Sequence, residues 1–426
     1  MDSCTVEVFV GEWQKAGVIE LMGDPALGMT GSAAFEYDDD YAFEHLECSD
    51  AAAVSCRYPV GLRRWVEKQW PAFLLDLIPA GAGRRFWEGF LGLPNNRTSD
   101  WQLLTQCAMN PPGNVRIAEA AKTLTVPDAH DGFAREDVLL KEQRFLEYAR
   151  LNGVAVGGSS GAQGDAPKML LTEDLQGRWH PAATVAPEDA KQEWLVKMPR
   201  GHRARDREIL RAECSYHKIA AASGLHTAAP LLWEDDCLFI PRFDLCKDDT
   251  GRLRRFGLES LASVMGRAEF GAAVDLPGMA EAVRRYSTEP IADLAEFVAR
   301  DVLNVAMGNT DNHARNQALL KTSDGSVRLA PLFDFAPMFA DPAGIARVAS
   351  WGRNLEPGGV PDWAGVIRLV ATGDNEQQEL TERLVRLITG IEAAPDLLVD
   401  DRVDPFILDQ CFARCARVCR GLKRLR

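Results

Sequence analysis

Long apolar runs are missing from this chain. No stretch approaches the roughly 18 consecutive apolar residues of a membrane-spanning helix, so no span and no membrane partner is expected. A secretory leader pattern is missing too. Met1-Asp2-Ser3-Cys4 leads directly into alternating apolar and polar residues, with no basic stretch ahead of an apolar one. Positive charge is in deficit, with 48 Lys and Arg against 62 Asp and Glu and a formal net charge of −14. That balance argues against a protein that coats nucleic acid or an anionic membrane through its overall field, although it leaves room for a local basic patch. The ten cysteines are scattered and form no Cys-x-x-Cys pair, so zinc-ribbon spacing is absent. The pattern as a whole points to a reducing cytoplasm. Internal repeats and low-complexity tracts are also lacking.

What remains is an ordinary globular composition, 46% hydrophobic and 26% charged, on a chain of 426 residues, long enough for two or three lobes. The N-terminal stretch reads as β: Val6, Val8 and Val10 alternate, and Ala16 to Leu21 and Gly31 to Tyr37 follow across a Gly-rich turn. Trp65 to Trp87 reads as helical and aromatic, broken at Pro79-Ala80-Gly81. Pro111-Pro112-Gly113 punctuates the chain ahead of a boundary near residue 120. Ala134 to Arg150 has the apolar spacing of an amphipathic helix. Strands are predicted at Met169-Leu170-Leu171 and at Glu193 to Met198. A helix over Glu208 to Ser223 is followed by Gly224 as its cap. Ala229 to Trp233 and Cys237 to Ile240 flank an acidic turn and read as a hairpin. Beyond about residue 255 helical periodicity dominates. It is clearest at Leu294 to Met307 and recurs at Glu376 to Thr389, where Gly390 is placed to end the helix. Cys411, Cys415 and Cys419 share one helix face and read as small core residues before they read as a metal or redox site.

The chemistry is concentrated in Gly308-Asn309-Thr310-Asp311-Asn312-His313-Ala314-Arg315-Asn316 and, after a predicted hairpin turning at Ser323-Asp324-Gly325, Ala330-Pro331-Leu332-Phe333-Asp334-Phe335. This is the layout of a protein-kinase-like site. An Asp accepts the hydroxyl proton, an Asn five residues on holds magnesium, and a second Asp bridges metal to phosphate. Asp311 is then the candidate base, and Asn316 and Asp334 the metal ligands. His313 orders the loop, since magnesium prefers oxygen ligands. Asp-x4-Asn alone is common by chance. Its setting, a polar loop after an apolar helix and before a hairpin, sets it apart from a loop of solvated acids.

Upstream, Lys197 sits on a strand among Leu195, Val196 and Met198. It reads as a phosphate-gripping lysine or as an edge-strand lysine that discourages aggregation. Glu213 on the next helix is the candidate ion-pair partner, with Glu208 as its competitor. Gly157 to Gly164, with Ser159, Ser160, Gly161 and Gly164, can cradle phosphates on backbone N–H groups or serve as a flexible linker. Lys168 lies just beyond. Phe239 to Asp244 is the candidate hinge, with Phe243 either packing an adenine ring or filling core. The expected organisation is a β-rich subdomain over 1–120, an N-lobe over 121–245 and an α-helical C-lobe over 246–426. The fold class is α+β, a two-lobed protein-kinase-like fold.

These residues together resemble the HipA family of bacterial serine/threonine kinases, the toxins of HipA/HipB modules. The similarity is strongest at Ser159 to Lys168, Trp194 to Pro199, Phe239 to Asp244, Gly308 to Asn316 and Leu329 to Phe335. The resemblance implies Asp311 as catalytic base, Asn316 and Asp334 on Mg²⁺, Lys197 on the phosphates of ATP, and Phe243 at adenine. It implies a protein substrate, of which aminoacyl-tRNA synthetases are the best-known examples. It also implies autophosphorylation of a loop serine as an off-switch, and a HipB-like helix-turn-helix antitoxin through which DNA is reached indirectly. The loop Ser-Ser-Gly-Ala-Gln-Gly-Asp-Ala-Pro-Lys aligns in two registers, so Ser159 and Ser160 are both candidates for the switch. A small-molecule or lipid kinase on the same scaffold, or an inactive scaffold for an antitoxin, are the alternatives. The C-terminal Arg414, Arg417, Arg420, Lys423, Arg424 and Arg426 form a local cationic run.

Overall fold

A computed structural model describes residues 2–123, 131–140, 168–182, 184–201, 203–271 and 274–426. The expected phosphate loop, with Ser159, Ser160, Gly161 and Gly164, lies outside these residues. By compactness the chain divides into two units. One comprises Met1–Met198, Phe239–Ala272 and Leu320–Ser326; the other comprises Pro199–Leu238, Ala273–Leu319 and Val327–Arg426. The architecture is α+β, with the sheets mostly in the first unit and the long helices in the second.

The first unit opens with β1 (Ser3–Val10), β2 (Glu12–Leu21), β3 (Ala33–Tyr37), β4 (Arg64–Glu67) and β5 (Val115–Ile117), in the sheet order β4-β3-β2-β1-β5. The alternation read from sequence is real: Val6 and Val8 are fully buried on one face. Gly17 is required where β2 meets β3, because a Cβ there would lie 2.4 Å from the Glu36 carbonyl oxygen. The helical reading from Trp65 onward fails at its start. Arg64–Glu67 alternates exposed and half-buried residues and pairs with β3, placing Trp65 opposite Phe35 with the rings stacked at 5.8 Å. Cross-strand aromatic packing there outweighs any helical preference. Helix follows only at Leu74–Leu77 and at α1 (Gly81–Leu91).

The second sheet of this unit carries β6 (Lys168–Asp174), β7 (Trp179–Pro181) and β8 (Ala190–Lys197), with β6 antiparallel to both others. Trp179, Trp194 and Phe239 close its core edge to face. Ahead of it, only Arg135–Leu139 of the expected amphipathic helix is described as helical; Leu140 caps it and 141–150 lie outside the described residues. The segment Leu320–Ser326 belongs here as well. Lys321, 1% exposed, donates to the Ala53 carbonyl at 2.8 Å and lies 3.6 Å from Glu259. Glu259 in turn accepts from Ser55, Cys56 and Ser263. A buried cation is tolerated because this network satisfies it.

The second unit contains α2 (Ala204–Ala222), α3 (Leu276–Tyr286), α4 (Pro290–Met307), α5 (Trp363–Val370), α6 (Asp374–Asp400) and α7 (Pro405–Lys423). Leu294, Val298, Val302 and Leu303 of α4 are buried at its centre. Tyr216 of α2, wholly buried, donates its hydroxyl to the Met307 carbonyl at 2.8 Å. Gly390 does not end a helix; α6 runs ten residues past it, to Asp400. Its φ is not positive, and its role is close approach. A Cβ at Gly390 would lie 2.3 Å from the Ser223 hydroxyl at the end of α2. Cys411, Cys415 and Cys419 are buried core residues, as their spacing suggested. The cationic run is less uniform than it reads. Arg414 is half-buried over the Phe339 ring at 4.1 Å, and the exposed Lys423 pairs with Glu392, while Arg417, Arg420, Arg424 and Arg426 are exposed.

Candidate active site

The polar loop after α4 begins at Gly308, whose φ is +70° and whose missing side chain makes room for Phe339. The loop is held from within. Asn309 N–H bonds to the Asn304 carbonyl, and its side-chain amide donates to Asn304 Oδ1, both at 2.9 Å. Asp311, 6% exposed, is set between two neighbours. Asn316 Nδ2 donates to the Asp311 carbonyl at 2.9 Å, and His313 Nε2 lies 3.4 Å from Asp311 Oδ1. His313 Nδ1 accepts from Arg315 N–H at 3.2 Å, so in the neutral ring the proton sits on Nε2. With Nδ2 committed to Asp311, Asn316 Oδ1 is left buried without a hydrogen-bond partner among the described residues. A buried carbonyl oxygen without a donor is a costly feature, and a hard cation is one group that would satisfy it.

Asp334 lies in the same unit, half-buried, with a φ of +52°. A left-handed conformation is uncommon for a residue with a side chain, tolerated best by Asn and Asp, and is held here by anchors on either side. Upstream, Ala330 N–H bonds to the Ala318 carbonyl, closing the hairpin of β9 (Ala318–Lys321) and β10 (Val327–Leu329), and Leu332 N–H bonds to the His226 carbonyl, each at 2.8 Å. Downstream, Phe335 packs on Tyr216 and Phe339 N–H returns to the Gly308 carbonyl at 3.1 Å. The segment bearing Asp334 is thereby tied at one end to the strand after Asn316 and at the other to the start of the Asp311 loop. The hairpin read from sequence is present and makes this juxtaposition.

Two further polar anchors were not legible as functional. Asn312 donates to the Ala349 carbonyl at 2.9 Å and accepts from Val348 and Ala349 N–H, pairing 348–349 with the loop as a strand would. Asp301, buried on α4, accepts from Arg347 and from Trp351 Nε1 at 2.8 Å. Burial lowers the proton affinity of Arg347 while Asp301 and Glu356 more than offset it, leaving the guanidinium above its ordinary pKa. The density of Asn and Asp after an apolar helix was the only sequence signal for Asn312, and Asp301, inside the helix, had none.

In the first unit, Lys197 ends β8 and is 5% exposed. It stands directly opposite Lys168 of β6, so the two side chains leave the same face. Phe243 is half-buried beside a buried Arg242–Asp244 ion pair, whose Asp244 Oδ2 also accepts from Gly113 N–H at 2.7 Å. Asp244 therefore anchors the expected hinge segment to the Pro111–Gly113 turn. In the second unit, Glu213 of α2 is 5% exposed, whereas Glu208 is half-exposed and 3.9 Å from Arg211.

Residues 159–392 match the family model described as the HipA-like C-terminal domain. No curated protein matches the sequence. Among solved structures, the HipA of Shewanella oneidensis MR-1, determined with HipB and operator DNA, aligns with a TM-score of 0.66 at 15% identity, over 99% of this chain and 97% of that one. The Helicobacter pylori proinflammatory kinase CtkA gives a TM-score of 0.35 at 14% identity, over 55% of this chain and 91% of its own. The Shewanella likeness shows the fold, α+β and HipA-like, over nearly the full length of both chains. The family match covers more than half of the chain and contains the Asp311, Asn316 and Asp334 segments, and on that match the protein belongs to the HipA family.

Proposed function

We propose that this protein is an ATP- and Mg²⁺-dependent serine/threonine protein kinase of the HipA type. The observation that carries the reading is Asn316. It orders the Asp311 loop with one amide atom and keeps the other buried and unpartnered among the described residues, while hairpin and return contacts tie the Asp334 segment to that loop. Asn316 Oδ1 and the Asp334 carboxylate are oxygen donors suited to Mg²⁺, which is commonly bound by one or two protein ligands together with phosphate oxygens. Bound there, Mg²⁺ neutralises charge on the transferring phosphoryl group.

Asp311 accepts the proton of the acceptor hydroxyl, and His313, whose Nδ1 accepts from Arg315 N–H, helps to order the loop. Lys197 and Lys168 hold the phosphates. Like charges directly opposed on a sheet repel, and an anion between them reverses that cost. Phe243 packs against adenine. The loop with Ser159, Ser160, Gly161 and Gly164 covers the phosphates, and phosphate on either serine would put close to two negative charges there and switch the enzyme off. The biological role that fits is growth arrest by phosphorylation of a translation-related protein such as an aminoacyl-tRNA synthetase. A HipB-like antitoxin would restrain the enzyme and supply the contact with DNA. The Shewanella HipA, determined with HipB and operator DNA, supports that partner.

The test is transfer of label from γ-labelled ATP and Mg²⁺ into a cell extract of the source organism. Label on protein serine or threonine supports the reading. Label confined to lipids or small metabolites replaces it with a small-molecule kinase. No transfer, with no nucleotide binding, makes the chain a scaffold.

A further inference from the structure

Arg300 lies in the middle of α4 and is 1% exposed. Its guanidinium spends its donors on four groups. Nε donates to Glu296 Oε1 at 3.0 Å and Nη1 to Gln317 Oε1 at 3.1 Å; Nη2 donates to the Ala330 carbonyl at 2.7 Å and to the His226 carbonyl at 3.5 Å. Gln317 directly follows Asn316, and Ala330 lies four residues before Asp334. His226 is the residue whose carbonyl receives Leu332 N–H, and its own N–H donates to Glu296 at 2.9 Å. Arg383 of α6 closes the group on the other Glu296 oxygen at 2.8 Å. Two arms of one planar fork therefore end on the two segments that carry the metal-ligand candidates.

We propose that Arg300, with Gln317 as its partner, is a positioning residue that fixes the separation of Asn316 from Asp334 and so sets the affinity of the site for Mg²⁺. The inference rests on the assignment of those two residues as metal ligands. A guanidinium suits this task better than an ammonium, because its donors are held rigidly in one plane and cannot follow two acceptors that drift apart. A purely architectural arginine would only need to hold the helix to its neighbours, which Glu296 and Arg383 already do. The Gln317 arm adds nothing to that packing but fixes the residue beside Asn316. Groups that orient metal ligands commonly change metal affinity or activity by about 10–100-fold when removed.

The experiment is a titration of Mg²⁺ against ATP binding by the full chain, read by calorimetry or by a fluorescent nucleotide, with hydrogen exchange as the check on folding. Gln317→Met keeps the volume and removes the acceptor. It is expected to raise the half-saturating Mg²⁺ concentration about 10-fold, while ATP binding without metal stays as in the parent. Gln317→Glu restores an acceptor for Arg300 and is expected to return the midpoint towards the parent value. If Gln317→Met does not fold, Arg300→Lys, which keeps the charge and loses the fork, is read the same way. A parental Mg²⁺ midpoint in a folded Gln317→Met or Arg300→Lys variant overturns the proposal. A parent chain whose ATP binding ignores Mg²⁺ overturns the metal assignment itself, a distinct result.

Discussion

Gly308 allows a prediction whose size follows from geometry. It caps α4 at φ +70°, and a Cβ added there would lie 2.5 Å from Phe339 Cδ1 and 3.3 Å from the Arg414 guanidinium carbon. Gly308→Ala therefore meets two penalties. The left-handed conformation costs roughly 1–2 kcal/mol for an alanine, and forcing Phe339 aside adds about 1–3 kcal/mol. Gly224 provides the control. It has the same handedness, at φ +76°, but its nearest neighbour would be Arg383 Nη1 at 3.8 Å, so Gly224→Ala carries the conformational penalty alone. Native-state hydrogen exchange on peptides from α4 and its loop gives the opening free energy locally, without assuming that both units unfold together. Gly308→Ala is expected to lose more than Gly224→Ala by about 1–3 kcal/mol. It is also expected to weaken Mg-ATP binding, because Phe339 N–H is the downstream anchor of the Asp334 segment. Equal losses in the two variants would refute the claim that Phe339 packs where this glycine leaves room.

Acid stability should depend on Glu376. Its hydrogen bond from Arg284 lowers its pKa from 4.5 to about 2. The pair then stabilises the fold fully above pH 4.5 and is lost as pH falls towards 2, so Glu376→Gln should flatten the acid limb of a denaturation profile in that window. Asp301→Ala strips the acceptor from both Arg347 and Trp351 Nε1. Breaking a buried pair on one side typically costs about 3–5 kcal/mol, and fluorescence from a tryptophan freed at position 351 should shift to longer wavelength. Incubation with Mg-ATP followed by peptide mass spectrometry should place phosphate on Ser159 or Ser160; its absence from both, while an outside substrate is labelled, would remove the loop switch.

The parts of the fold that could be read from sequence are those where one period and one signal coincide. The β1 alternation, the α4 apolar stripe and the hairpin turning at Ser323-Asp324-Gly325 are all local patterns, and all are present. Misreadings came where a distant neighbour decided the outcome. Trp65 lies in a strand because Phe35 stacks on it across the sheet. Gly390 stays helical because Ser223 packs against its missing side chain. The loop and the return segment of the candidate site were legible, since Asp311, Asn316 and Asp334 stand in a recognisable spacing. Their supports were not. The Glu296–Arg300 pair looks on paper like any helix-surface ion pair four residues apart, and only the fold shows it buried. Asn312 gives no sign in sequence that its amide would take the place of a strand.

The central claim is that Asp311 takes the acceptor proton in phosphoryl transfer, and one paired measurement addresses it. Asp311→Asn and the parent chain are compared for Mg-ATP affinity and for label transferred to protein from γ-labelled ATP. The expected result is near-parental nucleotide affinity with transfer slowed by about 10²–10⁴-fold. Transfer at the parental rate in a folded Asp311→Asn variant would contradict the account.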